Sequence, residues 1–259
     1  MSNEVKPFEI HIVDEALADL HDRLSRTRWP DQVNDEDWSY GTELSYLKEL
    51  CNYWRNEFDW RAQEARLNRF PQFTTEIDGL NIHFIHVRSK ELNALPLIIT
   101  HGWPGSVIQF TKIIGPLTDP VSHGGQAQDA FHVICPSMPG FGFSDASPGP
   151  GMSPQRVADI EAKLMARLGY SRYGVQGGDW GPGISTLMGI QDATHCVGIH
   201  LNLATASPPE GQADPTQGLT PKELGYLQDT QAFQDEGSGY LQIQSTRPQS
   251  REVVRPKLF

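Results

Sequence analysis

The chain has 259 residues, 38% apolar and 20% charged, the composition of an ordinary globular protein. Its 21 basic and 32 acidic residues leave a net charge of -11, which argues against nucleic acid or an anionic membrane as the main partner. The short, polar stretch Met1 to Glu9 predicts neither a signal peptide nor a membrane anchor. Cys51, Cys135 and Cys196 are scattered and odd in number, which predicts small buried thiols in a cytoplasmic protein.

Residues 1–72 read as helical and rich in tryptophan. Leu17, Leu20 and Leu24 recur at helical spacing after Asp14, a candidate cap. Leu47, Leu50, Cys51, Trp54 and Phe58 form a second stripe of the same period. Between them, from Arg28-Trp29-Pro30 through Asp37, the chain lacks periodicity and is expected to be irregular.

Residues 73–205 alternate strand and helix. Phe73–Ile77 and Asn81–Arg88 flank Asp78-Gly79, a hairpin signal. The apolar runs Pro96–Thr100 and Phe131–Cys135 suit buried parallel strands. Ser153 and Pro154 open a helix with Val157, Ile160, Leu164 and Leu168 on one face and Gly169 as its stop. Strand Tyr173–Gln176, a helix from about Gly183 to Gln191 and strand Val197–Leu203 follow. Repeated strand–helix–strand units predict an α/β protein with a parallel sheet covered by helices on both faces. Residues 206–259 begin as a Pro/Gly/Gln-rich loop and contain a helix expected from Pro221 to about Gln234.

Gly177-Gly178-Asp179-Trp180-Gly181 lies between a strand and a helix. Small residues two positions either side of Asp179 suit a sharp strand-to-helix turn, the layout of a nucleophile elbow with aspartate at its tip. Such a turn presents its central side chain at the carboxyl end of the sheet. His101-Gly102-Trp103-Pro104 directly follows the strand ending at Thr100. In that position a loop supplies one backbone amide of an oxyanion hole and the residue after the nucleophile supplies the other, which names Trp103 and Trp180. His101 is expected to brace this loop through hydrogen bonds, with Gly102 and Pro104 shaping it. Gly142-Phe143-Ser144-Asp145-Ala146 imitates a serine elbow, but Pro148-Gly149-Pro150-Gly151 follows and a loop is expected. Gly140-Phe141-Gly142 starts like a dinucleotide fingerprint and then departs from it at Asp145. His83, His86 and His132 lie on predicted strands without metal-ligand grouping, so structural roles are expected. No cofactor or metal is expected.

Taken together, these motifs resemble the microsomal-type epoxide hydrolases and their soluble relatives. The resemblance rests on Tyr53-Trp54-Arg55 through Phe58-Asp59-Trp60, Gly79-Leu80 with Ile82-His83-Phe84-Ile85-His86, and His101-Gly102-Trp103-Pro104-Gly105-Ser106. It rests equally on Cys135-Pro136-Ser137-Met138-Pro139-Gly140-Phe141-Gly142-Phe143-Ser144 and Gln176-Gly177-Gly178-Asp179-Trp180-Gly181, and spans Pro7 to about Gln249. It implies an α/β-hydrolase core with a mostly parallel sheet over residues 73–205, and a helical N-terminal arm running into the first core strands over residues 1–110. Residues 206–259 would form a partial lid and a divergent tail. It further implies attack of Asp179 on an epoxide carbon, proton donation from Tyr240, and hydrolysis of the resulting ester to a vicinal diol. The implied partners are a small apolar epoxide and water, with self-association left open.

The family places its second tyrosine, acid and histidine C-terminal to Tyr240. Here the match fades after Pro248-Gln249, and no histidine follows His200. The expectation is a C-terminally truncated enzyme whose last strands and helices are missing. The second half-reaction would then be impaired, by a factor on the order of 10⁶ when a triad base is lost. A haloalkane dehalogenase with Trp180 holding halide, and a non-catalytic binding fragment, are the competing readings.

Overall fold

The computed structural model describes residues 4–32, 38, 41–204, 214 and 216–246. The acidic stretch 33–37, the loop 205–213 and the divergent tail 247–259 lie outside them. The chain divides into two compact units, residues 1–11 with 58–205, and residues 12–57 with 206–259.

The first unit is built on a seven-stranded sheet. Its strands are β1 Val5–Phe8, β2 Gln72–Ile77, β3 Leu80–Val87, β4 Leu95–Thr100, β5 Phe131–Pro136, β6 Tyr173–Gly177 and β7 Cys196–Leu201. They are ordered β1-β2-β3-β5-β4-β6-β7. The block β5-β4-β6-β7 is parallel, and β1, β2 and β3 extend one side of it through antiparallel pairings. β2 thereby runs with the parallel block, and only β1 and β3 oppose it.

Alternation along the central strands fills both faces. Phe84, Ile98, Ile134 and Val175 belong to a core packed by α5 Pro154–Arg167 and α6 Gly181–Gln191. Their neighbours Ile85, Ile99, Val133 and Cys135 belong to a second core closed by Val107, Phe110 and α4 Ile114–Thr118. The β2–β3 hairpin turns at Asp78 and Gly79, both with positive φ, as its Asp-Gly signal demands. Gly169, at φ +82°, follows the last turn of α5, where its amide and that of Tyr170 satisfy the carbonyls of Ala166 and Met165. Ser153 holds the N-terminal cap position of α5 with Pro154 after it, although its hydroxyl makes no capping bond.

β1 is absent from the sequence expectations because Lys6 and Pro7 interrupt its alternation. Proline is tolerated there because, among the described residues, β1 pairs on one side only, with β2. α3 Trp60–Leu67 was likewise not expected; the Asp59 side chain caps it at the Ala62 amide. α6 begins at Gly181 rather than Gly183, and β7 ends at Leu201 rather than Leu203.

In the second unit, α1 Asp14–Ser25 and α2 Leu44–Asn56 pack together. The capping position of α1 belongs to Val13, not Asp14, which instead places its charge in the first turn, where the helix dipole favours it. Phe58 falls beyond the end of α2. α7 Pro221–Ala232 opens with a reciprocal capping box between Thr220 and Glu223 and ends two residues earlier than expected. A π-helical turn, Phe233–Gly237, and α8 Gly239–Thr246 follow. No helix among the described residues is long and apolar enough to cross a membrane.

Candidate active site

The elbow is a steric consequence of its glycines. β6 ends at Gly177 and α6 starts at Gly181, so the chain reverses within three residues. A Cβ on Gly177 would overlap the backbone of Gly181, and a Cβ on Gly181 would overlap the Thr100 carbonyl. Asp179, at the tip, has φ +60°, a left-handed conformation uncommon for a residue bearing Cβ. Strain of this kind costs about 1–3 kcal/mol and persists only where its surroundings enforce it. The Asp179 side chain is exposed beyond the carboxyl end of the parallel strands.

The second component is the loop leaving β4. The amide of Trp103 donates to Asp179 Oδ1 at 2.7 Å. Gly102 passes so close that a Cβ there would overlap the Asp179 side chain. Pro104 is exposed and joined to Trp103 by a cis peptide bond. His101 is fully buried, and burial lowers its pKa. A neutral ring satisfies both contacts: Nδ1–H donates to the Gly102 carbonyl at 2.9 Å, and Nε2 accepts the Met138 amide at 3.1 Å. The ring thus ties the loop to the segment after β5.

The loop after β4 and the elbow meet at the Trp103–Asp179 hydrogen bond. Trp180, half-exposed, follows Asp179 at the start of α6. Tyr240 lies on α8 of the second unit and is 52% exposed. The Gly142–Ala146 segment is a loop, in which the Asp145 carboxylate accepts from the Asn81 backbone and side chain, both at 2.9 Å. His83 and His86 are buried, engaged with Gln72 and Ser137 and with Tyr170 respectively. All three cysteines are free, but only Cys135 is fully buried; Cys51 and Cys196 are partly exposed.

Sequence reasoning missed Glu161. It sits on α5 at 2% exposure and accepts a 2.7 Å hydrogen bond from Thr100, the last residue of β4. Burial pushes its carboxyl up to about 8. The signal is its spacing, four residues after Val157 and three before Leu164, which puts it on the apolar face of α5.

Two family descriptions match the chain: the epoxide hydrolase N terminus over residues 5–110, and the α/β-hydrolase fold over residues 96–252. The chain belongs to the epoxide hydrolase family. A Stigmatella aurantiaca protein whose name assigns it to the epoxide hydrolases is 51% identical over 246 residues, which are 95% of this chain and 55% of that protein. Epoxide hydrolase 1 of Sus scrofa is 46% identical over 77% of this chain and 45% of its own length. The crystal structure of juvenile hormone epoxide hydrolase from the silkworm Bombyx mori superposes with a TM-score of 0.85 at 34% identity, covering 96% of this chain and 61% of that one. The chain therefore spans about half the length of these curated relatives.

Proposed function

We propose that this chain opens small apolar epoxides with Asp179 as the nucleophile. The observation that carries the reading is the hydrogen bond that the Trp103 amide donates to Asp179 Oδ1, at an elbow that leaves the carboxylate exposed. With Oδ1 held, Oδ2 is the oxygen that attacks. Its attack on a ring carbon forms an ester C–O bond and breaks the ring C–O bond. The departing alkoxide takes a proton, and Tyr240 is the donor this reading assigns.

Water then adds to the ester carbonyl, and negative charge collects on Oδ1. The amides of Trp103 and Trp180 stabilise that charge, and such a donor typically contributes about 10²–10³ in rate. Collapse releases the diol and restores the carboxylate. This step needs a general base. His101 does not serve, because both ring nitrogens are engaged in the loop. Among the described residues, the only partner of the Asp179 side chain is the Trp103 amide. Ester formation is therefore expected to outrun ester hydrolysis in this chain. The names of its relatives support the epoxide as substrate, and three free thiols support a cytoplasmic setting.

The test is intact mass after incubation with styrene oxide. A single adduct should accumulate, map to the peptide bearing Asp179, and vanish in Asp179→Asn. An adduct that survives this substitution refutes the reading. Halide release from chloroalkanes without any epoxide adduct would favour dehalogenation instead.

A further inference from the structure

We propose that Glu161 is a positioning residue for the elbow, holding the end of β4 through Thr100 so that the His101–Pro104 loop and Asp179 stay in register. The proposal deepens the reading of Asp179 as nucleophile and rests on it. Its basis is a closed path of contacts. Thr100 pairs with Gly177 across β4 and β6, so it stands beside the last residue before the elbow. Its carbonyl packs against Gly181, the first residue after the turn. Its backbone continues into His101, Gly102 and Trp103, whose amide holds Asp179. Thr100 therefore adjoins both sides of the elbow and the start of the loop. Its side chain is anchored by a single bond, to Glu161 Oε2. Thr100 is 1% exposed and Glu161 2% exposed, so water does not compete for that bond.

The chemistry of this anchor is that of a neutral acid. Oε1 of Glu161 is buried without a hydrogen-bond partner, an arrangement a carboxylate tolerates poorly and a carboxylic acid tolerates better. α6 and β4 bring no ionisable side chain to it. β6 brings Tyr173, a phenol whose hydroxyl donates to Asp192. β2 brings Glu76, and β3 brings His83 and His86, engaged with Ser137, Gln72 and Tyr170. On α5 itself, Arg156 and Lys163 pair with Asp78, Lys163 also with Asp159, and Arg167 reaches Thr75 and the Glu76 carbonyl. Thr100 is the only hydrogen-bond partner of Glu161 among the described residues. Ionisation above the value of about 8 that burial imposes would place an unpaired anion beneath the elbow and loosen it.

The experiment compares the natural chain with Glu161→Gln, which keeps the hydrogen bond and removes the ionisation, and Glu161→Leu, which keeps neither. Amide hydrogen exchange over residues 98–104 and 176–184 is read first, because it needs no substrate. In Glu161→Leu both segments should lose protection by about tenfold or more while β2 and β3 keep theirs. Glu161→Gln should rescue both. Between pH 7 and 9, after correction for intrinsic exchange, the natural chain should loosen in these segments and Glu161→Gln should not. Alkylation of Asp179 by styrene oxide should slow by roughly 10²-fold in Glu161→Leu, as for an ångström-scale misplacement of a reacting group. Full protection of both segments in Glu161→Leu overturns the proposal. If Glu161→Leu loses protection everywhere, the pH comparison decides, and identical behaviour of the natural chain and Glu161→Gln overturns it. A natural chain that never alkylates refutes the epoxide reading alone, and the exchange data still judge Glu161.

Discussion

Asp179 owes its reach to residues that have no side chain. Gly177 and Gly181 let the backbone fold onto itself, and Gly102 lets the loop pass the carboxylate within hydrogen-bonding range. Gly102→Ala would force a methyl group into the Asp179 side chain. The expected result is loss of alkylation by roughly 10²-fold with a stability cost of about 1–3 kcal/mol, measured by intact mass and by thermal melting. The elbow was legible in sequence because a turn that sharp admits few residue types, though a plain Gly-rich turn into a helix would read the same way. The Trp103 amide was legible for the same reason, through its position after β4. Glu161 was not, because a single charged residue in an amphipathic helix ordinarily reads as surface. Its spacing from Val157 and Leu164 puts it on the apolar face, but only the contact with Thr100 shows what it does there.

At the level of elements, β3 carries two histidines into the interior. His83 Nε2–H donates to Gln72 Oε1 at 3.0 Å, while Nδ1 accepts from the Ser137 hydroxyl at 2.9 Å. Burial lowers both His83 and His86 from 6.5 to about 4. Between those values the unfolded chain binds protons that the folded chain refuses. The stability these rings contribute is therefore present above pH 6.5 and lost as pH falls toward 4. Melting temperature should drop over that interval, and His83→Gln should flatten the drop; an unchanged slope would show that the ring titrates as if exposed. Element type was readable wherever periodicity was strong, as in α5 and β4. It failed at β1, where Lys6 and Pro7 hide a strand that exists only because β2 offers it a partner. It failed again at α8, whose eight residues carry no apolar stripe and whose large side chains, Tyr240, Leu241 and Ile243, are about half exposed.

For the whole molecule, the buried acid and the buried histidines oppose each other. Glu161 destabilises the folded state progressively from 4.5 to about 8, because the unfolded chain gives up that proton first. The histidines act in the other sense below 6.5, so these three groups weaken the fold on both the acid and the alkaline side of that pH. The sheet adds a further liability. Among the described residues β7 pairs only with β6, and Val197 and Ile199 are 43% and 47% exposed. Such an edge templates association between copies. Val197→Lys should lower light scattering at high concentration while changing stability by no more than about 1 kcal/mol; unchanged scattering would acquit the edge. At the opposite side, β1 closes the sheet with four residues near the N-terminus, and Thr75 Oγ1 reaches back to the Glu4 carbonyl at 2.9 Å. Trimming those residues to tidy an expression vector would uncover β2 and create a second sticky border, so a purification tag belongs ahead of them on a spacer.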